Sequence, residues 1–145
     1  MKLKRMTINC ILPAILQSIL FSNIVLAWKK DGYIEKDFFY RNRERENVYN
    51  QNGNLREYHE KDSFNKDRTN IYNPNGQKQG YLKQDYFHKD RTNVYGQSGS
   101  KVDGYYKKDY FKQGRINFYD STGQLQEYLE NNPFRRNQKN IYVKD

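Results

Sequence analysis

Two kinds of ionisable side chain recur along this 145-residue chain and are the first candidates for chemistry. An acidic or amide residue returns at Asp37, Asp62, Asp85, Asp109 and Asn132, and an arginine returns at Arg45, Arg68, Arg91 and Arg115. Repeated carboxylates are groups that serve general acid–base catalysis or bind calcium. A catalytic site, however, needs distinct residues in distinct roles, whereas a residue present in every unit usually answers a need of every unit. We therefore expect the acidic series to cap turns or to pair with the arginines.

Other reactive side chains are few. His59 and His88 occupy different positions of the repeated pattern, so the repeat does not bring them together, and we expect both on surface strands or turns. Cys10 is the single cysteine. The sequence contains no phosphate-binding loop, no serine-nucleophile motif and no metal-ligand spacing. It predicts a protein that is not an enzyme, with no catalytic residues, no cofactor and no metal.

The first 27 residues have the layout of a secretory signal peptide. Three basic residues precede an uncharged stretch, 8–27, which ends in Val25-Leu26-Ala27 and so offers small side chains to signal peptidase. An uncleaved anchor is the alternative, because a bilayer span needs roughly 20 apolar residues. Cleavage after Ala27 leaves one cysteine-free domain, 28–145, without a transmembrane span or a disulfide framework. We expect an exported protein, either periplasmic or secreted.

The elements that must position the recurring side chains form a repeat. An Asn-apolar-Tyr triplet returns every 23 or 24 residues, at 47–49, 70–72, 93–95, 117–119 and 140–142. Turns such as Asn50-Gln51-Asn52-Gly53 suit a type I turn closed by a left-handed residue. The second junction of each unit ends in Asp, Gly or Asn, where we also expect positive φ. The segments between are rich in Tyr, Phe, Val and Ile, which favour strands.

Strand order then predicts closure. The chain opens with the second strand of a hairpin unit and ends with the first strand of another, so the two terminal strands can pair. We predict an all-β fold, a closed antiparallel meander of five β-hairpin repeats in which closure removes unpaired edges. The predicted central core is the ring Val48, Ile71, Val94, Phe118 and Ile141, supplemented by rings of Tyr and Phe. Two extra residues within 40–46 predict one protruding turn.

The cadence Ile71-Tyr72, Gly76, Gly80-Tyr81 and Asp85 is repeated around the chain and resembles the β-flower proteins. These are shallow symmetric barrels whose hairpins splay like petals. The resemblance covers essentially all of residues 31–145. It implies a shallow barrel, and it brings no established activity, ligand or catalytic residue.

Charge points to the class of partner. The formal net charge is +9, and it becomes +6 without the leader, which holds three basic and no acidic residues. A basic exported protein is attracted to anionic lipid head groups, cell-wall polymers or nucleic acid, and solubility is the simpler interpretation of such a charge. Export argues against nucleic acid as the partner.

Two basic segments are the candidate polymer-binding residues, although a solvated turn is the alternative interpretation of each. They contain Arg41, Arg43, Arg45, Arg135 and Arg136. Exposed tyrosines would stack on sugar rings while the arginines meet charge. We predict a binding module for an anionic or saccharide polymer of the cell envelope. The alternative is a structural or accessory envelope protein that acts through protein–protein contacts, with self-assembly left open.

Overall fold

The computed structural model describes residues 27–37 and 44–145. The predicted signal peptide falls almost wholly on residues 1–26, and the predicted protruding turn falls largely on 38–43, so both lie outside the described residues. Ten β-strands and no helix occur in the described part of the chain. The strands are β1 (Trp28–Lys36), β2 (Arg45–Asn50), β3 (Leu55–Lys61), β4 (Arg68–Tyr72), β5 (Lys78–Gln84), β6 (Arg91–Gly96), β7 (Val102–Lys108), β8 (Arg115–Asp120), β9 (Leu125–Asn131) and β10 (Gln138–Lys144).

The strands form a closed antiparallel meander, which confirms the predicted fold class. Each strand pairs with its neighbours in the chain, and β1 pairs with β10 from Trp28 opposite Lys144 to Glu35 opposite Gln138. The amide of Asp145 donates to the carbonyl of Ala27 at 3.1 Å beyond the end of this ladder. Every strand is thus paired on both edges by residues from Trp28 onward, so we expect the segment 28–145 to fold without the residues before it. Among the described residues, no helix has the length and apolar character needed to cross a membrane.

Short glycine turns connect each even-numbered strand to the next odd-numbered strand. Gly53, Gly76, Gly99 and Gly123 have φ between 67° and 83°. In the first of these turns, the amide of Gly53 donates to the carbonyl of Asn50 at 3.0 Å, and Asn50 Oδ1 accepts from the amides of Asn52 and Asn54. The predicted type I turn with a left-handed glycine is therefore confirmed.

The connections from odd to even strands are longer, and all of them lie at the other end of the barrel because the meander reverses direction at each turn. Four are described and are called the tips: residues 62–67, 85–90, 109–114 and 132–137. Positive φ at the last tip residue occurs only at Gly114 among these four, so the expectation is wrong for Asp67, Asp90 and Asn137. The residue that begins each tip accepts backbone amide hydrogen bonds, and in the three tips other than 109–114 the turn closes without a left-handed residue.

Alternation along the strands divides the side chains between the lumen and the outer face. Val48, Leu129 and Ile141 are buried in the lumen at 1%, 6% and 1% exposure, and Ile34 and Tyr106 pack against them. The predicted ring is therefore only partly correct. Its members Ile71, Val94 and Phe118 are only half-buried, so the core is concentrated on the side of the barrel that contains Val48, Leu129 and Ile141.

The aromatic rings of the repeat do not supplement this core. Tyrosines of adjacent strands instead stack in pairs on the outer face, with centroids 4.7 to 5.2 Å apart, at 33/49, 58/72, 81/95, 105/119 and 128/142. The phenylalanines Phe64, Phe87, Phe111 and Phe134 are between 84% and 95% exposed. Their predicted core role is wrong because each lies in a tip, two residues after the capping residue and beyond the end of the strand.

Candidate functional site: the basic mouth of the barrel

The repeated arginines are used in the wall of the barrel. Each guanidinium lies over a tyrosine ring on the other strand of the same glycine-turn hairpin at 3.7 to 3.9 Å, as at Arg45 over Tyr58 and Arg91 over Tyr105. A cation held over an aromatic face is attracted by the ring quadrupole. The arginine series therefore joins the two strands of each glycine-turn hairpin on the outer face.

The repeated aspartates cap the tips, as predicted. In the third unit, Asp85 Oδ1 accepts from the amides of Phe87 and His88, while Oδ2 accepts from Asn93 Nδ2 at 2.9 Å. Asn93 Oδ1 in turn accepts from Arg91 Nε at 2.9 Å. The Asn93 hydrogen bond, followed by the backbone hydrogen bond of His88, holds the pKa of Asp85 well below its usual range. These carboxylates are committed to hydrogen bonds that every unit needs.

The fifth unit carries the same network without charge. Asn132 stands in the place of the capping aspartate and Gln138 in the place of the arginine, and Asn132 Nδ2 donates to Gln138 Oε1. Gln138 is 5% exposed. Acid and base have thus been replaced together, as expected for a structural pair.

A cavity of about 430 Å³ opens at the end of the lumen where the tips lie, and is called the mouth. Its lining includes six basic side chains, Lys36, Lys89, Lys107, Lys108, Lys139 and Arg136. Two acidic side chains, Glu46 and Asp90, also line it, and Asp90 pairs with Lys107 at 3.4 Å. The excess of positive charge makes the mouth an attractive site for an anion.

The mouth has an apolar floor. Ile34, Leu82 and Leu129 line it from inside the lumen, together with Tyr106 and His59. Strand alternation points Lys36 and Lys108 into the lumen above this floor, because they share a face with Ile34 and Tyr106, and Lys139 also points inward because it lies directly opposite Ile34. An apolar base beneath convergent polar groups is the usual construction of a ligand site.

Polar groups continue beneath the floor. His59 Nε2 lies 3.0 Å from Glu57 Oε1, and the Tyr106 hydroxyl donates to Glu127 Oε1 at 3.3 Å. Burial raises the pKa of Tyr106 well above its usual value and also raises the pKa of Glu127. Burial acts in the same direction on Glu57, but the hydrogen bond and charge of His59 outweigh it and lower its pKa.

The expected surface position of His59 is wrong. His59 is 7% exposed. The ladder between β3 and β4 places it directly opposite Ile71, so both residues lie on the lumen face of the wall. His88 lies in an exposed tip, as predicted. Within the described residues, no three His, Cys, Asp or Glu side chains are grouped as metal ligands would be.

The structure separates the predicted polymer-binding arginines. Arg136 lines the mouth, and Arg135 is exposed beside it in the last tip. Arg45 is stacked on Tyr58 and lines a second recess of about 580 Å³, while Arg41 and Arg43 lie outside the described residues. The polymer-binding role of these five residues stays a prediction.

The mouth lysines were not identified from the sequence. Lys36 and Lys108 share one position of the repeat, three residues after Tyr33 and Tyr105, but that position holds Gln84 and Asn131 in other units, and Lys139 occupies a different position. Only strand alternation combined with closure brings them to one opening. Counting inward-facing positions at the ends of predicted strands would have found them.

Comparison with known proteins adds little to this description. No protein-family model and no curated protein matches the chain. The structure is similar to an Arabidopsis thaliana protein solved by X-ray crystallography, with 12% sequence identity and a TM-score of 0.45. The similarity covers 79% of this chain and 80% of that chain. The fold and site thus define a closed ten-stranded antiparallel barrel with a basic mouth.

Proposed function

We propose that the protein is a non-enzymatic binding module whose basic mouth holds anionic groups of an envelope polymer. The observation that carries the proposal is the convergence of six basic side chains around one cavity above an apolar floor. The cavity volume falls in the range of sites that enclose small ligands or single units of longer ones. Positive charge gathered in a cleft also concentrates anions and speeds their association.

A polymer suits this end of the barrel better than an isolated anion. The mouth and the second recess share Lys36, Glu46 and His59 in their linings, so the two cavities adjoin. The second recess is lined by acidic as well as basic side chains, Asp37, Glu44 and Glu46 beside Lys36, Arg45 and Lys61. An extended chain can therefore place an anionic group in the mouth while its neighbouring unit lies in the adjoining recess.

The proposal for the envelope rests on the N-terminal sequence, whose basic start and uncharged stretch have the layout of an export signal.

We also propose that the barrel is of the β-flower kind. Five short hairpin units, with strands of five to nine residues, support this assignment.

Binding of dextran sulfate and of neutral dextran to residues 28–145 tests the proposal. We expect dextran sulfate to bind and neutral dextran not to bind, with affinity falling steeply between low salt and about 0.15 M because exposed charges are screened there. The triple variant Lys36→Gln, Lys108→Gln, Lys139→Gln should lose roughly tenfold in affinity, since exposed charge contacts contribute ~0.2–1 kcal/mol each.

A matched control removes the same charge from the other end of the barrel, through Lys29→Gln, Lys101→Gln and Lys144→Gln. These three lysines are exposed and lie away from the mouth lining. Equal losses in the two triple variants would show that net charge alone attracts the polymer, and would contradict a site at the mouth. Equal binding of neutral dextran would exclude charge recognition.

A further inference from the structure

The tips surrounding the mouth carry large aromatic side chains that contact little of the protein. They are Phe64, Tyr86, Phe87, Tyr110, Phe111 and Phe134, each between 84% and 95% exposed. Scattered exposed apolar residues are normal on a protein surface, but a set concentrated at one end marks an interaction site. Because all four tips lie at the same end of the meander, these six side chains form an aromatic rim around the mouth.

The aromatic rim alternates with positive charge. Exposed basic residues in the same tips are Lys66, Lys89, Lys112, Arg135 and Arg136. The exposed acidic residues of the tips are Asp67 and Asp90, and Asp90 is already paired with Lys107. Lys112 pairs with Glu130 at 2.6 Å, Lys89 and Arg136 line the mouth, and Lys66 and Arg135 are exposed outside its lining. The surface therefore combines apolar rings with an excess of cations.

Some backbone amides of the tips are satisfied by hydrogen bonds within the tip. In the first tip, Asp62 Oδ1 accepts from the amides of Phe64 and Asn65 at 2.9 Å, and the amide of Arg68 donates to the carbonyl of Asn65. The other aspartate tips repeat the two capping bonds. These capped amides lose no hydrogen bond when the tip leaves water, so their burial carries little cost in free energy.

The geometry of the rings argues against a flat stacking platform for sugars. Tyr86 and Phe87 meet at 86°, and Tyr110 and Phe111 meet at 84°, so neighbouring rings present an edge beside a face. Four of the six side chains are phenylalanines, which have no hydroxyl to bond a saccharide. Apolar side chains on separate tips are better suited to the apolar part of a lipid layer.

We propose that the aromatic rim inserts into the interface of an anionic lipid membrane, with the basic tip residues contacting the lipid head groups. Aromatic and apolar side chains enter the boundary between head groups and acyl chains, and cations gain from anionic head groups. The inference does not depend on polymer binding. Docking of the rim would bring the mouth to the anionic groups of the membrane surface, so the two proposals are compatible.

The test measures binding of residues 28–145 to vesicles of phosphatidylcholine with phosphatidylglycerol and to vesicles of phosphatidylcholine alone. We expect sedimentation with the anionic vesicles only. Replacing Phe64, Phe87, Phe111 and Phe134 by alanine should weaken that binding by on the order of a hundredfold or more, because each ring loses its buried apolar area. The control variant carries Gln51→Ala, Asn75→Ala, Gln97→Ala and Ser121→Ala in the opposite turns and should bind as the parent does.

A fluorescent probe locates the inserted surface. In a Trp28→Phe background, which removes the single tryptophan, Phe111→Trp should show a blue-shifted emission with anionic vesicles, whereas Thr122→Trp at the opposite end should not. No shift at position 111, or an equal shift at both positions, would overturn the proposal. So would a phenylalanine variant that binds vesicles normally but no longer binds a neutral polysaccharide. Loss of dextran sulfate binding in the lysine triple variant, with vesicle binding retained, would separate the mouth from the rim.

Discussion

Glu127 and Glu130 lie three residues apart on β9 and face opposite sides of the barrel wall. Glu127 points into the lumen, where burial raises its pKa, with its Oε1 accepting from the Tyr106 hydroxyl. Glu130 points outward and contacts Lys112 at 2.6 Å and Arg115 at 2.8 Å. Partial burial acts to raise the pKa of Glu130, but these two cations outweigh it and lower the pKa.

This opposition predicts opposite effects of two matched substitutions on the free energy of unfolding. A raised folded-state pKa means that the ionised Glu127 destabilises the barrel above the unfolded pKa of about 4.3, so Glu127→Gln should stabilise it at neutral pH. Glu130→Gln should destabilise it there, by roughly 0.2–1 kcal/mol, because an ion pair is lost. Urea unfolding of both variants at pH 7 and pH 3 checks this. Both effects should be smaller at pH 3 than at pH 7, and shifts of the same sign at pH 7 would contradict the assignment of faces.

The capping aspartates should make the barrel sensitive to acid. Backbone hydrogen bonding from Asn65, followed by the Asn70 side chain, lowers the pKa of Asp62 to about 2. A depressed folded-state pKa contributes stability above the unfolded value of about 3.9, and this stability is lost as pH falls toward 2. Thermal melts across this range should show a steep decline for the parent and a shallower one for Asp62→Asn.

Asp67→Asn is the matched control for this change, because it removes a charge from the same tip without a capping bond. Asp67 makes no side-chain hydrogen bond among the described residues. We expect its acid profile to follow that of the parent. A profile as shallow as that of Asp62→Asn would show that net charge, and not capping, causes the acid sensitivity.

Gly80 should be intolerant of a side chain. A Cβ atom at this position would lie 2.2 Å from the carbonyl oxygen of Tyr95, a backbone atom that cannot move alone. Its cross-strand partner Gly96 would place a Cβ 2.6 Å from the carboxylate of Asp103, which is free to rotate. Gly80→Ala should therefore cost about 1–3 kcal/mol or more in urea unfolding, and Gly96→Ala much less. Equal costs would show that close approach does not explain the glycine.

Arg91 should contribute more to stability than its charge alone. Its guanidinium lies 3.7 Å from the centroid of Tyr105, and its Nε donates to Asn93. Arg91→Gln should lower the free energy of unfolding by about 1–2 kcal/mol, since a cation–π contact, a hydrogen bond and the ion pair with Asp85 at 3.7 Å are lost. Lys83→Gln, an exposed residue on the preceding strand, removes the same charge and should have little effect. Similar losses of stability in both variants would show that Arg91 contributes through its charge alone.

Much of the wall could be predicted from the sequence because the same pattern of turn and strand residues occurs five times. Turn residues at fixed positions, such as Asn50 and Gly53, determine where each hairpin reverses. The complementary terminal strands determine closure. These are local patterns, and local patterns are visible in a sequence.

The departures from the repeat were harder to predict. His59 and Tyr106 occupy the same repeat position as Ile34, yet only the closed wall shows that this position faces the lumen. The phenylalanines resembled core residues because their spacing is regular, but Phe64 and its equivalents follow a capping residue that ends the strand. The mouth was missed because Lys36, Lys108 and Lys139 meet only through the curvature of the barrel.

The pairing of β1 with β10 makes the order of the hairpins around the wall cyclic. A short linker between Asp145 and Trp28, on the side away from the tips, would leave every ladder intact. New ends could then be opened at any glycine turn, so circular permutants cut between Asn52 and Gly53 or between Asn75 and Gly76 should fold to the same barrel. The position of the chain ends therefore does not determine the architecture of such a barrel.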